Sequence, residues 1–312
     1  MIELSDLTTE RRNPRSAHID ELATLDMLAV INEEDKTIAL AIERILPQIA
    51  KAVDLITLRL AQGGHLFYLG AGTSGRLGIL DAVECPPTYS TPPELVQGLI
   101  AGGTPAIFRA REGAEDDPHL AEKDLNEHGF GKQDVLVGIA ASGRTPYVIG
   151  GLKYARSIGA ATISLACTPS PAIAEFADIP LTPVTGPEVV TGSTRMKAGT
   201  AQKMVLNMLS TATMIKLGKV CGNLMVDVKA SNKKLEERAR RIVMDATGCN
   251  RAEAIAALEK AEGSAKLAIL LQLSGLEAEE GRKLLAESGG RLAPAITTMR
   301  SGRTKRKTAE PM

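Results

Sequence analysis

The sequence predicts an α/β fold: an open parallel sheet of about five strands flanked by helices, with a small all-helical subdomain at its C-terminal end. Three observations carry this. Short apolar runs at residues 65–69, 96–100, 135–140, 161–166 and 178–182 are each followed by a longer helical pattern. The runs are continuous rather than alternating, as suits strands buried on both faces of a parallel sheet. From Thr247 to Leu292, three short Ala/Leu patterns are separated by Gly248, Gly263, Gly275 and Gly289-Gly290.

The elements follow in order. Residues 1 to about 20 are polar, and Pro14 breaks any helix there, so this stretch packs as an arm. Asn32 is a candidate N-cap, after which Ile38, Ala41, Ile42, Ile45, Leu46 and Ile49 recur at helical spacing until Gly63-Gly64. The five strand–helix repeats come next. Ser231 to Glu237 reads as the capped start of a charged helix. The resulting boundaries are an N-terminal arm and helix over 1–50, the sheet domain over 51–240, a helical subdomain over 241–300, and a flexible tail over 301–312.

Charge and composition exclude several classes. Thirty-seven basic residues balance 37 acidic ones, which leaves no net field for nucleic acid or a membrane surface. Aromatics make up 3% with no Trp, too few for base-stacking platforms. Apolar stretches stop well short of about 18 residues, so no membrane span is expected. The first twenty residues lack an apolar signal core. Cys85, Cys167, Cys221 and Cys249 stand alone, and His18, His65, His119 and His128 lack metal-ligand spacing. A cytoplasmic protein with no metal and no cofactor is expected.

Three loops carry the chemistry. They read Gly70-Ala71-Gly72-Thr73-Ser74-Gly75, Ala141-Ser142-Gly143-Arg144-Thr145-Pro146, and Thr191-Gly192-Ser193-Thr194-Arg195-Met196-Lys197-Ala198-Gly199-Thr200. The first two sit where a strand hands over to a helix, and free backbone N–H groups and the helix dipole favour an anion there. Glycine lets the backbone approach, and Ser and Thr add hydroxyl donors. No Gly-Lys-Ser/Thr follows the first loop, and Arg76-Leu77 stands where a dinucleotide loop needs its third glycine. A small phosphorylated ligand fits better than a nucleotide. Candidate phosphate contacts are Gly72, Thr73, Ser74, Gly75, Ser142, Gly143, Thr145, Ser193 and Thr194. Lys197 and Arg195 are either anion ligands or helix-surface charges.

The first two loops together resemble the sugar isomerase (SIS) domain, a flavodoxin-like sandwich that holds phosphosugars. Gly186 to Thr200 resembles the signature shared by glucokinase regulatory protein and N-acetylmuramic acid 6-phosphate etherases. Four further segments resemble the etherases: Thr9 to Pro14, Asp81 to Thr88, Glu112 to Asp116, and Asn223 to Asn232. Ala140 departs from the broad SIS pattern, where many members carry a further serine. The resemblance implies cleavage of the C3 lactyl ether of a phosphosugar in cell-wall amino-sugar recycling, by elimination and then water addition. It implies that Glu84 donates a proton to the departing lactate and that Glu115 is the second catalytic carboxylate, at C2. From the residues alone, either could be a plain surface acid. Glu84 closes an apolar helix before Cys85-Pro86-Pro87, whereas Glu115 lies among Glu112, Asp116 and Asp117.

Helix geometry adds an expectation of its own. Glu84 lies ten residues beyond Ser74, about 15 Å along a straight helix. A hexose 6-phosphate held at that loop would not reach it. Either the helix bends, or Glu84 serves a second subunit in a homodimer with shared active sites. The competing readings are an aldose–ketose phosphosugar isomerase, which needs no acid at C3, and a non-enzymatic phosphosugar sensor. The segment Asn223 to Asn232 would line either the sugar site or an interface.

Overall fold

The computed structural model describes residues 8–111, 113–227 and 233–298. Five strands form where the apolar runs lie: β1 (Leu66–Gly70), β2 (Val96–Ile100), β3 (Val135–Ile139), β4 (Ala161–Leu165) and β5 (Ile179–Leu181). All neighbours pair in parallel, in the spatial order β2-β1-β3-β4-β5. β1, β3 and β4 are buried at every position, which is why their sequences do not alternate.

The strand order decides where a ligand belongs. The chain steps from β1 outward to β2, then returns to place β3 on the other side of β1. Between β1 and β3 the winding reverses, and a crevice opens at the strands' carboxyl ends. Gly70 pairs in register with Ile139, so the loops that follow the two strands leave the sheet level with each other.

The helical run expected from Asn32 is three helices: α1 (Thr24–Asp35), α2 (Thr37–Glu43) and α3 (Leu46–Ala61). Asn32 lies inside α1 and is not its cap. The start at Thr24 escapes notice because α1 turns Leu25 and Leu28 outward, 78% and 55% exposed, so that apolar residues flank the half-buried stripe of Met27, Val30 and Ile31 and blur it. The restart at α3 has a local cause: Pro47 has no N–H for the preceding turn and sits at the start of the new helix.

Next come α4 (Gly72–Tyr89), α5 (Pro105–Phe108), α6 (Leu120–Glu127), α7 (Pro146–Ser157) and α8 (Lys197–Lys216). A Cβ on Gly75 would lie 2.6 Å from Ile100 Cγ1 and 2.8 Å from Gly70 O, so only glycine lets α4 start this close to the sheet. The helix end expected at Glu84 is overturned, since α4 runs on through Pro86 and Pro87 to Tyr89. The prolines remove the bonds to the carbonyls of Ala82 and Val83 but hold φ near its helical value. The Ser90 N–H then closes the last turn onto Pro86 O at 2.9 Å.

The chain divides into two compact units, one of Met1–Glu84 with Pro92–Thr213, the other of Cys85–Thr91 with Met214–Met312. The second contains the hairpin β6 (Val220–Cys221) and β7 (Leu224–Met225), then α9 (Lys233–Thr247), α10 (Arg251–Lys260), α11 (Ala265–Ser274) and α12 (Ala278–Glu287). The helical unit thus gathers residues well before 241. The reason is a shared core: Val226 after the hairpin and the α9 stripe Ala239, Ile242 and Val243 pack with Ala254, Leu258 and the apolar face of α11. Asp227 accepts from Lys219 and Lys266 at 3.0 and 2.9 Å, so this part of Asn223 to Asn232 serves the helical unit. Val228 to Asn232, the cap expected at Ser231, Glu112 and the 301–312 tail lie outside the described residues. Among the described residues, no helix is long and apolar enough to cross a membrane.

Candidate functional site

The first two loops flank the reversal between β1 and β3. In loop one, Gly72 is exposed, Thr73 is half-buried, and Ser74 and Gly75 are buried. Its open part is therefore Gly72-Thr73. Ser74 turns inward and donates from Oγ to Gln202 Oε1 on α8 at 2.9 Å. In loop two, Ser142 and Thr145 are half-buried. Thr145 precedes α7 yet makes no side-chain cap bond. Gly143 takes φ +70°, and a Cβ there would meet Pro171 Cβ at 2.2 Å. Gly143→Ala combines a left-handed penalty with this overlap, and should cost at least about 2 kcal/mol in a denaturation midpoint.

The third loop lies beside the first. A Cβ on Gly199 would touch Thr73 Cγ2 at 3.4 Å, and the Gly199 N–H donates to Thr194 O at 2.8 Å. Ser193 and Thr194 are half-buried in the turn before α8. The start of α8, however, is already occupied. The carboxylate of Glu188, 1% exposed, accepts from the N–H groups of Lys197 and Ala198 at 2.9 Å each. A helix N-terminus holding a buried anion has no dipole left to offer a phosphate. Cys167 sits near this carboxylate, and burial first, then the Glu188 charge, pushes its thiol up.

Lys197 is neither of the things its sequence suggests. It is 2% exposed, and its Nζ donates to Glu34 Oε2 on α1 at 2.5 Å. It is a core ion pair, while Arg195 is exposed.

The two glutamates have different surroundings. Glu115 sits on a 3-10 turn (Ala114–Asp116) and lines a pocket of about 150 Å³ with Ala71, Gly72, Arg76 and Arg111. Arg76 holds that pocket's wall in place, donating from Nε and Nη2 to Ile107 O and Ala106 O at 2.8 Å each. The fold thus brings Glu115 to the open end of loop one. Glu84 is exposed, on an α4 that is one helix from Gly72 past it, so the spacing of about 15 Å from Ser74 stands.

A family model for the glucokinase regulatory protein N-terminal SIS domain matches residues 48–156, and one for the SIS domain matches residues 124–212. An N-acetylmuramic acid 6-phosphate etherase of Aliivibrio fischeri is 57% identical over 296 residues, covering 95% of this chain and 99% of the relative. One of Edwardsiella ictaluri is 59% identical over 295 residues, covering 95% and 98%. The chain belongs to the N-acetylmuramic acid 6-phosphate etherase family. A further etherase, of Clostridium beijerinckii, is 57% identical over 295 residues, covering 95% and 97%.

In this etherase-family chain, four groups near the loops escape a reading of the sequence. Gln202, Glu188 and the Glu34–Lys197 pair are described above. The fourth is Asp81, 5% exposed and three residues before Glu84 on α4. It accepts from Tyr68 Oη at 2.8 Å, Asn207 Nδ2 at 2.6 Å and Ser210 Oγ at 3.1 Å. Burial pushes its carboxyl above the usual range against these bonds. They tie the turn of α4 that carries Glu84 to β1 and α8. Asp81 falls inside a segment already noted for its etherase likeness, but nothing local says that it points inward.

Proposed function

We propose that this chain cleaves the ether between C3 of N-acetylmuramic acid 6-phosphate and its D-lactyl group. The products are N-acetylglucosamine 6-phosphate and D-lactate, and no cofactor takes part. The observation that carries the reading is 57–59% identity to etherases over nearly their whole length. The geometry agrees with it: two anion-type loops flank the switch point, with a carboxylate in the adjoining pocket.

The 6-phosphate sits on Gly72, Thr73, Ser142 and Thr145, with Ser193 and Thr194 at the edge. Ring opening exposes the C1 aldehyde and acidifies the C2 proton, which the Glu115 carboxylate removes. The C2 electron pair forms the C2=C3 bond as the C3–O bond breaks, and Glu84 delivers a proton to the departing lactate oxygen. Water then adds its oxygen to C3 of the unsaturated aldehyde, and C2 regains a proton. Two positioned carboxylates suffice for these transfers.

Glu84 acts in a neighbouring copy. It is too far along α4 for its own loop, and it shares an exposed stripe with Leu80 and Val83, 46% and 58% exposed. Apolar residues in the open at i, i+3 spacing beside a functional acid are suited to burial against a second subunit. The protein is thus a homodimer with shared sites, working in the cytoplasm on recycled cell-wall amino sugar.

Incubation with N-acetylmuramic acid 6-phosphate in ¹⁸O-water, repeated in D₂O, tests the reaction. D-lactate without label should appear, with ¹⁸O at C3 and deuterium at C2 of the sugar. Label in the lactate would indicate cleavage on the lactyl side, and intact substrate would remove the reading altogether. A shift of the carbonyl from C1 to C2 would mark an isomerase instead.

A further inference from the structure

The Ser74–Gln202 contact is oriented the wrong way for an anion site. Ser74 Oγ spends its only proton on Gln202 Oε1, although a phosphate can only accept at pH 7. Gln202 is 0% exposed, and among the described residues its Nε2, with two protons, has no partner. A buried unpaired donor is a costly thing to keep. Both faults are cured by one motion. Turning the Gln202 amide by half a revolution about its last torsion places Nε2 where Oε1 stood, within hydrogen-bond distance of Ser74 Oγ. The amide then donates to the hydroxyl, and the hydroxyl proton is released to the loop. Oε1 inherits the unpartnered position, a lighter cost for a carbonyl oxygen than for an NH₂ group.

We infer that Gln202 is a positioning residue of the phosphate site: with phosphate bound, its amide donates to Ser74 Oγ and turns the Ser74 hydroxyl toward the ligand. The inference rests on the phosphosugar reading and deepens it. It explains why an amide sits here rather than an apolar residue: only a group with a donor and an acceptor at interchangeable positions can serve both states. It also gives the inward-turned Ser74 a part in binding.

A double-mutant cycle on the full-length chain tests it, with calorimetric binding of inorganic phosphate and N-acetylglucosamine 6-phosphate as readout. Gln202→Glu keeps the shape and, read at a pH where the carboxylate is ionised, presents only acceptors, so Ser74 remains locked as a donor to it. Binding of both probes should weaken roughly tenfold, the loss of one charge-assisted hydrogen bond. In a Ser74→Ala background the same change should cost no more than about twofold, because the relay is already gone. A carboxylate's long-range charge acts in both backgrounds, so the difference between them is diagnostic. In turnover the loss should fall on KM, with kcat within about twofold. If Gln202→Glu fails to fold, Gln202→Met replaces it, with about a threefold loss expected in the native background and none with Ser74→Ala. Equal losses in both backgrounds, or no loss in the native one, would overturn the inference while leaving the etherase reading intact. A native chain that bound neither probe would overturn both.

Discussion

Glu84→Gln should lower lactate release by about 10²–10⁴-fold, the usual contribution of a positioned general acid, and leave stability unchanged. The second half follows from exposure: Glu84 is exposed, so an amide there creates no cavity and strands no buried charge. The same exposure, on a helix that carries it about 15 Å from loop one, is the ground for proposing that it serves a partner's site. A mixing experiment separates this from a merely distant role. On the proposed reading, Glu84→Gln subunits lack the acid, and Ser74→Ala/Ser142→Ala subunits lack two of the hydroxyls that hold the phosphate. Each parent is impaired at both of its sites. A mixed dimer rebuilds one intact site from the native halves. Random reassortment of equal amounts makes half the dimers mixed, so about a quarter of native activity should return. Verified mixed dimers no more active than their parents would refute sharing, and a Glu84→Gln enzyme within threefold of native would refute the acid.

Lys197→Met should destabilise the protein by about 3–5 kcal/mol, read as a shift in the urea midpoint at pH 7. Glu34 and Lys197 are 5% and 2% exposed, and their bond joins α1 to the first residue of α8. Removing the ammonium leaves a buried carboxylate with Arg15, 3.3 Å away on an exposed side chain, as its remaining cation. That residual partner places the cost toward the lower end of the range. Glu34→Gln/Lys197→Met should recover most of the loss, because no charge is then left buried. Acid should act on the same pair. Burial by itself would raise the Glu34 carboxyl; the Lys197 hydrogen bond and charge, helped by Asn13 and Arg15, outweigh it and hold the group below its ordinary 4.5. A lowered folded pKa means that this stability is fully present above about pH 4.5 and drains away as pH falls through the folded value. The native midpoint should decline over that window, and the double variant should lack that part of the decline.

The fold was legible where one stretch of chain carries its own evidence. β1 to β5 lie within two residues of the apolar runs, because a strand buried on both faces has no polar positions to blur its ends. The helical repeats from Thr247 onward are equally plain, each closed by glycine. α1 was not, since Leu25 and Leu28 on its outer side blur the half-buried stripe of Met27, Val30 and Ile31. The end of α4 was misjudged because proline was read as a stop, when at a helix's last turn it only omits two bonds.

The sequence by itself determined the parallel sheet and where its glycine- and hydroxyl-rich loops lie. Its resemblance to the etherases picked out Glu84 and Glu115, which no local pattern would have singled out. Tertiary structure alone decided what each polar group does there. Lys197, an anion ligand or a surface charge on paper, is neutralised by a residue 163 positions away, and Ser74 is turned inward by one 128 positions away. Glu188, a loop acid in the sequence, takes the anion seat at α8. The physical reason is that glycine, hydroxyl and apolar patterns express local backbone preferences, which a short window contains. A buried charge or hydroxyl instead takes its role from the partner that satisfies it, and the fold, not the neighbouring sequence, brings that partner.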